Sequence, residues 1–272
     1  MKIKWAAKVE LYTCEIRYIV ENEAQCEIDR KNKGNKEVAL ETHTINSISE
    51  LVNHTNWHVL MDVTLYRGQP STKRNLLPGI ARKSPVTNSL VKEKEQLRQL
   101  RLLAGNLIER PELSDLELMV LAQHHGLKTR LLDWTTNPLI ALWFACQSDS
   151  AENTDGWMYS LYTHGVCNTE EINSSPFDVA NTLAFQPRIN NDRVKAQFGW
   201  FTLHAYSEKD KQFIPLEIER INYVEGFERF IEYKIPSSKK SFLLYELNIL
   251  GVNARTIYPD LSGLCAYLNM HS

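Results

Sequence analysis

Fourteen consecutive positions, Gln123 to Thr136, carry an amide, two imidazoles, two cations, a carboxylate, an indole and three hydroxyls. Such a density of polar chemistry, read as a loop held between two helices, marks a segment where ligands are gripped or protons moved. A second group is Leu65-Tyr66-Arg67-Gly68-Gln69, which sets a guanidinium beside a glycine at the end of a strand. A guanidinium can hold phosphate through two parallel hydrogen bonds, and glycine lets a backbone come close to a ligand. An arginine paired with a buried carboxylate is the competing reading of that segment. The third group, Asn191 to Thr202, reads as a polar turn feeding a strand, with Arg193 and Gln197 at the strand's start and Gly199 leaving room for close packing or a ligand. A glutamine satisfied by ordinary hydrogen bonds at a strand edge is the alternative there.

Two other chemistries find little support. Adjacent His124 and His125 point in different directions and no H-E-x-x-H spacing occurs, so no metal is expected. No G-x-S-x-G elbow is present for a serine hydrolase. The expected site is one polar pocket that joins Arg67 to the run from Gln123 to Thr136.

The elements that must position these groups are partly legible. Residues 3 to 40 read as a strand hairpin with a charged turn. Ile45 to Asn53 reads as a short helix, and His58 to Tyr66 as the strand that delivers Arg67. From Asn88 to Glu109 leucines recur at helical spacing among charges, which predicts an amphipathic surface helix. Ser114 with Glu117 forms a capping box for a helix ending near Gly126. Asn137-Pro138 opens another, and Leu139 to Ala145 is apolar nearly all round and therefore buried. Beyond Ser150 short strand-like runs dominate: 157–162, 198–204 and 230–235. Helices return at 240–250, stopped by Gly251, and at 259–269.

Composition bounds the rest. The chain has 272 residues, 43% hydrophobic, with 31 Lys+Arg against 33 Asp+Glu, so a sizeable core is expected and no overall pull toward nucleic acid or anionic lipid. A local basic patch from Lys128, Arg130, Arg188, Arg193 and Lys195 is still compatible with that balance. The longest apolar stretch, Pro138 to Cys146, is about half a membrane span, and the N-terminus lacks an apolar signal core. Five scattered cysteines without a C-x-x-C pair fit reduced thiols. A soluble cytoplasmic protein without membrane contact is the expectation.

LYRGQ, the later LLPGIAR, the QHHGLKTRLLDWTTNPLIALWFA run and the RVKAQFGWF segment together resemble the FRG domain, a family named for a Phe-Arg-Gly form of the first motif, with Tyr66 here in place of that Phe. The likeness covers roughly residues 45 to 268. That domain is itself similar to ADP-ribosyltransferases. The resemblance implies an α+β fold, an ADP-ribosyltransferase-like split β-sheet core with flanking helices over residues 43–272, preceded by a small N-terminal β appendage at 1–42.

It implies NAD as substrate, with Tyr66, Arg67, Gly68, Gln69, His124, Thr129, Arg130, Trp134 and Thr135 holding it. Arg67 would anchor the pyrophosphate, and Trp134-Thr135-Thr136 resembles the hydroxyl-bearing second motif. Gln197 stands where the third motif usually has a catalytic glutamate. An amide can hydrogen-bond but adds little against a developing positive charge. Asp133 is then the candidate carboxylate, His125 the candidate base, and Glu217-Ile218-Glu219 a weaker E-x-E match on an expected exposed strand.

The implied role is an ADP-ribosyltransferase toxin of a bacterial anti-phage or toxin-antitoxin system. Its acceptor would be a macromolecule, RNA or DNA ahead of protein, and an antitoxin or chaperone would be its partner. A non-catalytic nucleotide-sensing or partner-docking module, and an NAD glycohydrolase, are the alternatives.

Overall fold

The computed structural model describes residues 41–55, 63–71, 75–82, 89–108, 112–147, 153–163, 169–173, 175–188, 191–219 and 227–270. The expected N-terminal hairpin lies outside them. The first described element, β1 (Glu41–Thr44), joins the main sheet.

That sheet has seven strands in the order β1-β9-β4-β2-β3-β6-β5. Its members are β2 (Val63–Gln69), β3 (Leu131–Thr135), β4 (Gly156–Thr163), β5 (Leu183–Phe185), β6 (Gly199–Leu203) and β9 (Phe227–Ile235), with β7 (Tyr206–Ser207) and β8 (Gln212–Phe213) forming a separate hairpin. Only the β1/β9 pair is parallel among these. The fold is α+β with a mostly antiparallel sheet.

The helices are α1 (Ile48–Thr55), α2 (Ser89–Leu103), α3 (Asp115–His124), α4 (Pro138–Cys146), α5 (Thr169–Asn173), α6 (Asp192–Ala196), α7 (Leu216–Glu219), α8 (Ser237–Ile249), α9 (Ala254–Ile257) and α10 (Leu261–Asn269). Among the described residues no helix is long and apolar enough to cross a membrane.

Local chemistry accounts for several of these boundaries. Ser114 Oγ accepts from the Glu117 N–H while the Glu117 carboxylate accepts from the Ser114 N–H, the reciprocal cap expected for α3. The other end closes at Gly126, whose φ of +89° suits only a residue without Cβ, with Leu127 N–H returning to Ala122 O at 2.9 Å. Asn137 Oδ1 caps α4 by accepting from Leu139 N–H, and Pro138 fills the first turn, where its missing donor costs nothing. α4 is buried as its composition requires, against Tyr66, Met158, Ile231 and Tyr233 of the sheet and Leu243 and Leu247 of α8. A second core lies beneath α3, between Leu116, Met119 and Val120 and the strand residues Leu131, Phe185, Phe201 and Leu203.

Four expectations need correction. The helix from Asn88 stops at Leu103, well short of Glu109. The segment 131–135 is not loop but a central strand, and four of its five residues are buried. Both faces of β3 are covered, so the polar/apolar alternation that signals a strand is missing. Arg193 does not start a strand: Asn191 Oδ1 accepts from Val194 N–H and opens the short helix α6, with Gln197 at its C-terminal cap and β6 beginning only at Gly199. Glu217-Ile218-Glu219 lies in the single turn of α7, where the Glu217 carboxylate accepts from Leu76 N–H at 3.0 Å. A carboxylate tied to the backbone in this way anchors a loop.

Candidate functional site

β2 pairs with β4 along its whole length, but with β3 only where Tyr66 faces Thr135. The two strands part beyond that rung, and Arg67 is the next residue. Its side chain is 14% exposed, and Nη1 donates to the backbone carbonyl of Asp133 at 2.6 Å, bridging the gap that the missing ladder bonds leave. The same nitrogen lies 3.8 Å from Asp133 Oδ2. Nε is buried and has no partner among the described residues. Burial pushes the guanidinium down to about 10, against the pull of Asp133, so Arg67 remains charged at neutral pH.

Gly68 has a different reason from the expected one. A Cβ there would meet the Ala141 carbonyl and come within 2.6 Å of Ala145 N, so glycine admits helix α4 to the strand rather than a ligand. Tyr66 is likewise a core residue, 4% exposed in the cluster around α4, and burial raises its hydroxyl well above the ordinary range. Gln69 is buried on β2 as well.

Asp133 projects outward from β3 with its side chain 62% exposed. Its carboxylate is oriented by a short relay: Thr129 Oγ1 donates to Gln123 Oε1, and Gln123 Nε2 donates to Asp133 Oδ1 at 2.7 Å. Gln123 and Thr129 therefore aim Asp133. The exposed His125 follows directly, as the cap of α3, with its ring edge-on to His124 at 5.0 Å. Burial, and then Arg193 and His125, hold His124 below the usual imidazole range, while Asp260 pulls it up.

Two residues from the far end of the chain complete this side. Arg193 Nη2 donates to Asp260 Oδ2 at 2.8 Å, and its guanidinium lies over the Tyr258 ring at 4.8 Å. Tyr258 is close enough to Asp133 for that charge to raise its hydroxyl, after burial and against Arg193. Gln197 donates from Nε2 to Ile257 O at 3.3 Å, so its amide ties α6 to α9. Tyr258 and Asp260 had no signal in the sequence beyond a turn-like Tyr-Pro-Asp.

Arg130 and Trp134, expected in the same pocket, face into the protein instead. Arg130 is fully buried, donating from Nε to Glu93 Oε2 at 2.8 Å and from its backbone N–H to Glu93 Oε1 at 2.7 Å, with the rings of Phe177 and Phe213 on the guanidinium. The pair pins α2 to the start of β3. Trp134, 3% exposed, donates from Nε1 to Thr202 Oγ1 at 3.0 Å, and that hydroxyl meets His204 Nε2 at 3.2 Å. Thr135 Oγ1 accepts from Asn137 N–H at 3.0 Å and so shapes the entry to α4.

His204 was missed by sequence reasoning. It is fully buried, its Nδ1 has no partner among the described residues, and burial together with Arg67, Arg130 and Arg82 holds its imidazole down to about 3. Alternation along Trp200, Thr202 and His204 was the available signal, since every second residue of a strand shares a face.

The arrangement thus brings Arg67, Asp133, Gln123, Thr129, His124 and His125 together with Tyr258 and Arg193, leaves Tyr66, Trp134 and Thr135 as framework, and buries Arg130 against Glu93. An exposed carboxylate beside a desolvated cation can stabilise positive charge on one part of a ligand and negative charge on another. No curated protein and no solved structure matches the chain. The model of the FRG domain matches residues 62–154, which hold Arg67 and Asp133 together with the whole run from Gln123 to Thr136. That stretch of the chain is an FRG domain.

Proposed function

We propose that this protein is an ADP-ribosyltransferase that consumes NAD and modifies a macromolecule, as the toxin of a bacterial defence or toxin-antitoxin system. The observation that carries the reading is the pair at the point where β2 and β3 part: a charged Arg67 with an unsatisfied Nε, and an exposed Asp133 carboxylate aimed by Gln123. The separation of β2 from β3 beyond Tyr66 and Thr135 also supports a split-sheet relation to the ADP-ribosyltransferases.

In this mechanism Arg67 holds the diphosphate of NAD. The bond between nicotinamide and ribose breaks with its electron pair leaving on nicotinamide, so positive charge builds on the sugar. Asp133 stabilises that charge, the role that an amide at Gln197 leaves unfilled. A nucleophilic oxygen or nitrogen of the acceptor bonds to the anomeric carbon, and its proton passes to His125, which is exposed beside the site. With Arg130 buried, the basic side chains open to an acceptor are Lys128, Arg188 and Lys195. They favour RNA or DNA over protein.

The second reading is a nucleotide-sensing or docking module, favoured by Gln197 being committed to Ile257. Incubation with NAD labelled in its adenylate half separates the readings. Nicotinamide release with label on a macromolecule supports transfer, and free labelled ADP-ribose supports hydrolysis. Binding without turnover sinks both in favour of sensing.

A further inference from the structure

Among the buried side-chain nitrogens that lack partners in the described residues are Arg67 Nε, Arg130 Nη2 and His204 Nδ1. A buried donor without an acceptor is costly, so native structures rarely keep several together unless something arrives to fill them. These three belong to one face of the sheet. Tyr66 opposes Thr135, so strand alternation puts Arg67 on the same side as Trp134 and, two residues back along β3, Leu132 and Arg130. His204 lies beside Arg130, donating its backbone N–H to Arg130 O at 3.2 Å, and reaches the same face through Thr202 and Trp134.

The hydrogen-bond relay bears on what Nδ1 offers. The Trp134 indole can only donate, so Thr202 Oγ1 accepts from it through one lone pair, and we assign the hydroxyl's own hydrogen to His204 Nε2. The imidazole, held neutral by burial and by the guanidinium groups of Arg67, Arg130 and Arg82, then carries its hydrogen on Nδ1. All three orphans are donors. Glu93 answers one of the cationic groups and Asp133 partly answers another.

We infer that Arg67, Arg130 and His204 form a subsite for an anionic phosphate oxygen, with Arg67 Nε, Arg130 Nη2 and His204 Nδ1 as its donors. It rests on the reading of Arg67 as a phosphate anchor and extends that anchor across β3 to residues just past the end of β6 and at the entry to β3. His204 is a positioning and recognition residue for the phosphate and takes no part in proton transfer.

The test uses the full chain with inorganic phosphate, AMP and NAD as separate probes, read by calorimetric titration and by the rise in Tm at matched ionic strength in chloride. Native protein should bind at least one probe. His204→Phe, which keeps ring volume and removes the donor, should weaken that binding on the order of 10-fold, the loss of one hydrogen bond to a charged group. Arg67→Lys, which keeps the charge and removes Nε, should weaken it comparably. Circular dichroism of each variant checks the fold. Binding of inorganic phosphate alone assigns the subsite to the free ion, and binding of AMP or NAD assigns it to a nucleotide phosphate.

No binding of any probe beyond the chloride control, or His204→Phe binding as well as native protein, overturns the subsite. NAD cleavage surviving in His204→Phe with unchanged KM overturns it too while leaving the transferase reading intact. Phosphate binding without NAD cleavage has the converse effect: the subsite stands and the transferase reading falls.

Discussion

Arg67 holds Asp133 more closely by its backbone than by its charge: Nη1 lies 2.6 Å from the Asp133 carbonyl oxygen but 3.8 Å from Oδ2 of its carboxylate. The carboxylate, 62% exposed, is consequently open to solvent and ligand and steered by Gln123.

Asp133→Asn tests that availability. The amide oxygen can still accept from Gln123, so geometry and Tm should hold, while the negative charge disappears. NAD cleavage is expected to fall on the order of 100-fold in kcat with little change in KM. An equal fall in thermal stability would make Asp133 structural instead.

Arg130 and Glu93 should behave in the opposite manner. Arg130→Met alone leaves a buried carboxylate without its partner and should cost about 3–5 kcal/mol in urea unfolding. Glu93→Leu combined with Arg130→Met should recover much of that loss. If the single substitution removed activity at unchanged stability, the pair would belong to the chemistry.

His204 gives a pH signature. Its folded-state pKa, down to about 3, lies below the unfolded value near 6.5, so between them the unfolded chain binds the extra proton. Its contribution to stability is complete above about pH 6.5 and declines as pH falls toward 3. The difference in Tm between native protein and His204→Phe should therefore shift in favour of the variant on acidification from pH 7 to 4. A pH-independent difference would refute a neutral buried imidazole.

Phe198 occupies the left-handed region at φ +48° with 56% of its surface exposed. Such a conformation costs roughly 1–2 kcal/mol in a residue with Cβ, whereas glycine adopts it freely at an entropic cost of roughly 0.5–1 kcal/mol. Phe198→Gly should thus be neutral to stabilising by about 1 kcal/mol in chemical denaturation, and Phe198→Val clearly destabilising. A loss with glycine would mean that the exposed ring contributes more packing than its exposure implies.

The parts of this molecule that could be read from its sequence are those decided within a few residues. Ser114 and Glu117 announce α3 because both partners of the cap lie in one turn, and Asn137-Pro138 announces α4 for the same reason. β3 was illegible because Leu132 and Trp134 are buried on one side and Leu131 and Thr135 on the other, which erases the period that a half-exposed strand displays. The site was legible at Arg67, Asp133 and the two histidines, where polar types crowd together. Tyr258 and Asp260 reach it across more than a hundred residues of chain, through the contacts of α6 with α9 and the turn that follows, and no local pattern encodes such a meeting. The partner of Arg130 was illegible because a charged residue inside a polar run looks the same whether it meets solvent or a distant Glu93.

The single rung between Tyr66 and Thr135 makes the sheet continuous on paper but divided as a mechanical object. What spans the division is α4: it springs from the end of β3 and lies against Gly68 of β2 and Gly156 at the start of β4, both without side chains where it passes. The helix works as a splint laid over a seam. The opening between Arg67 and Asp133 is accordingly gauged by how closely α4 seats on two glycines, so a single methyl added at position 68 would act as a shim and widen it from the reverse side of the sheet.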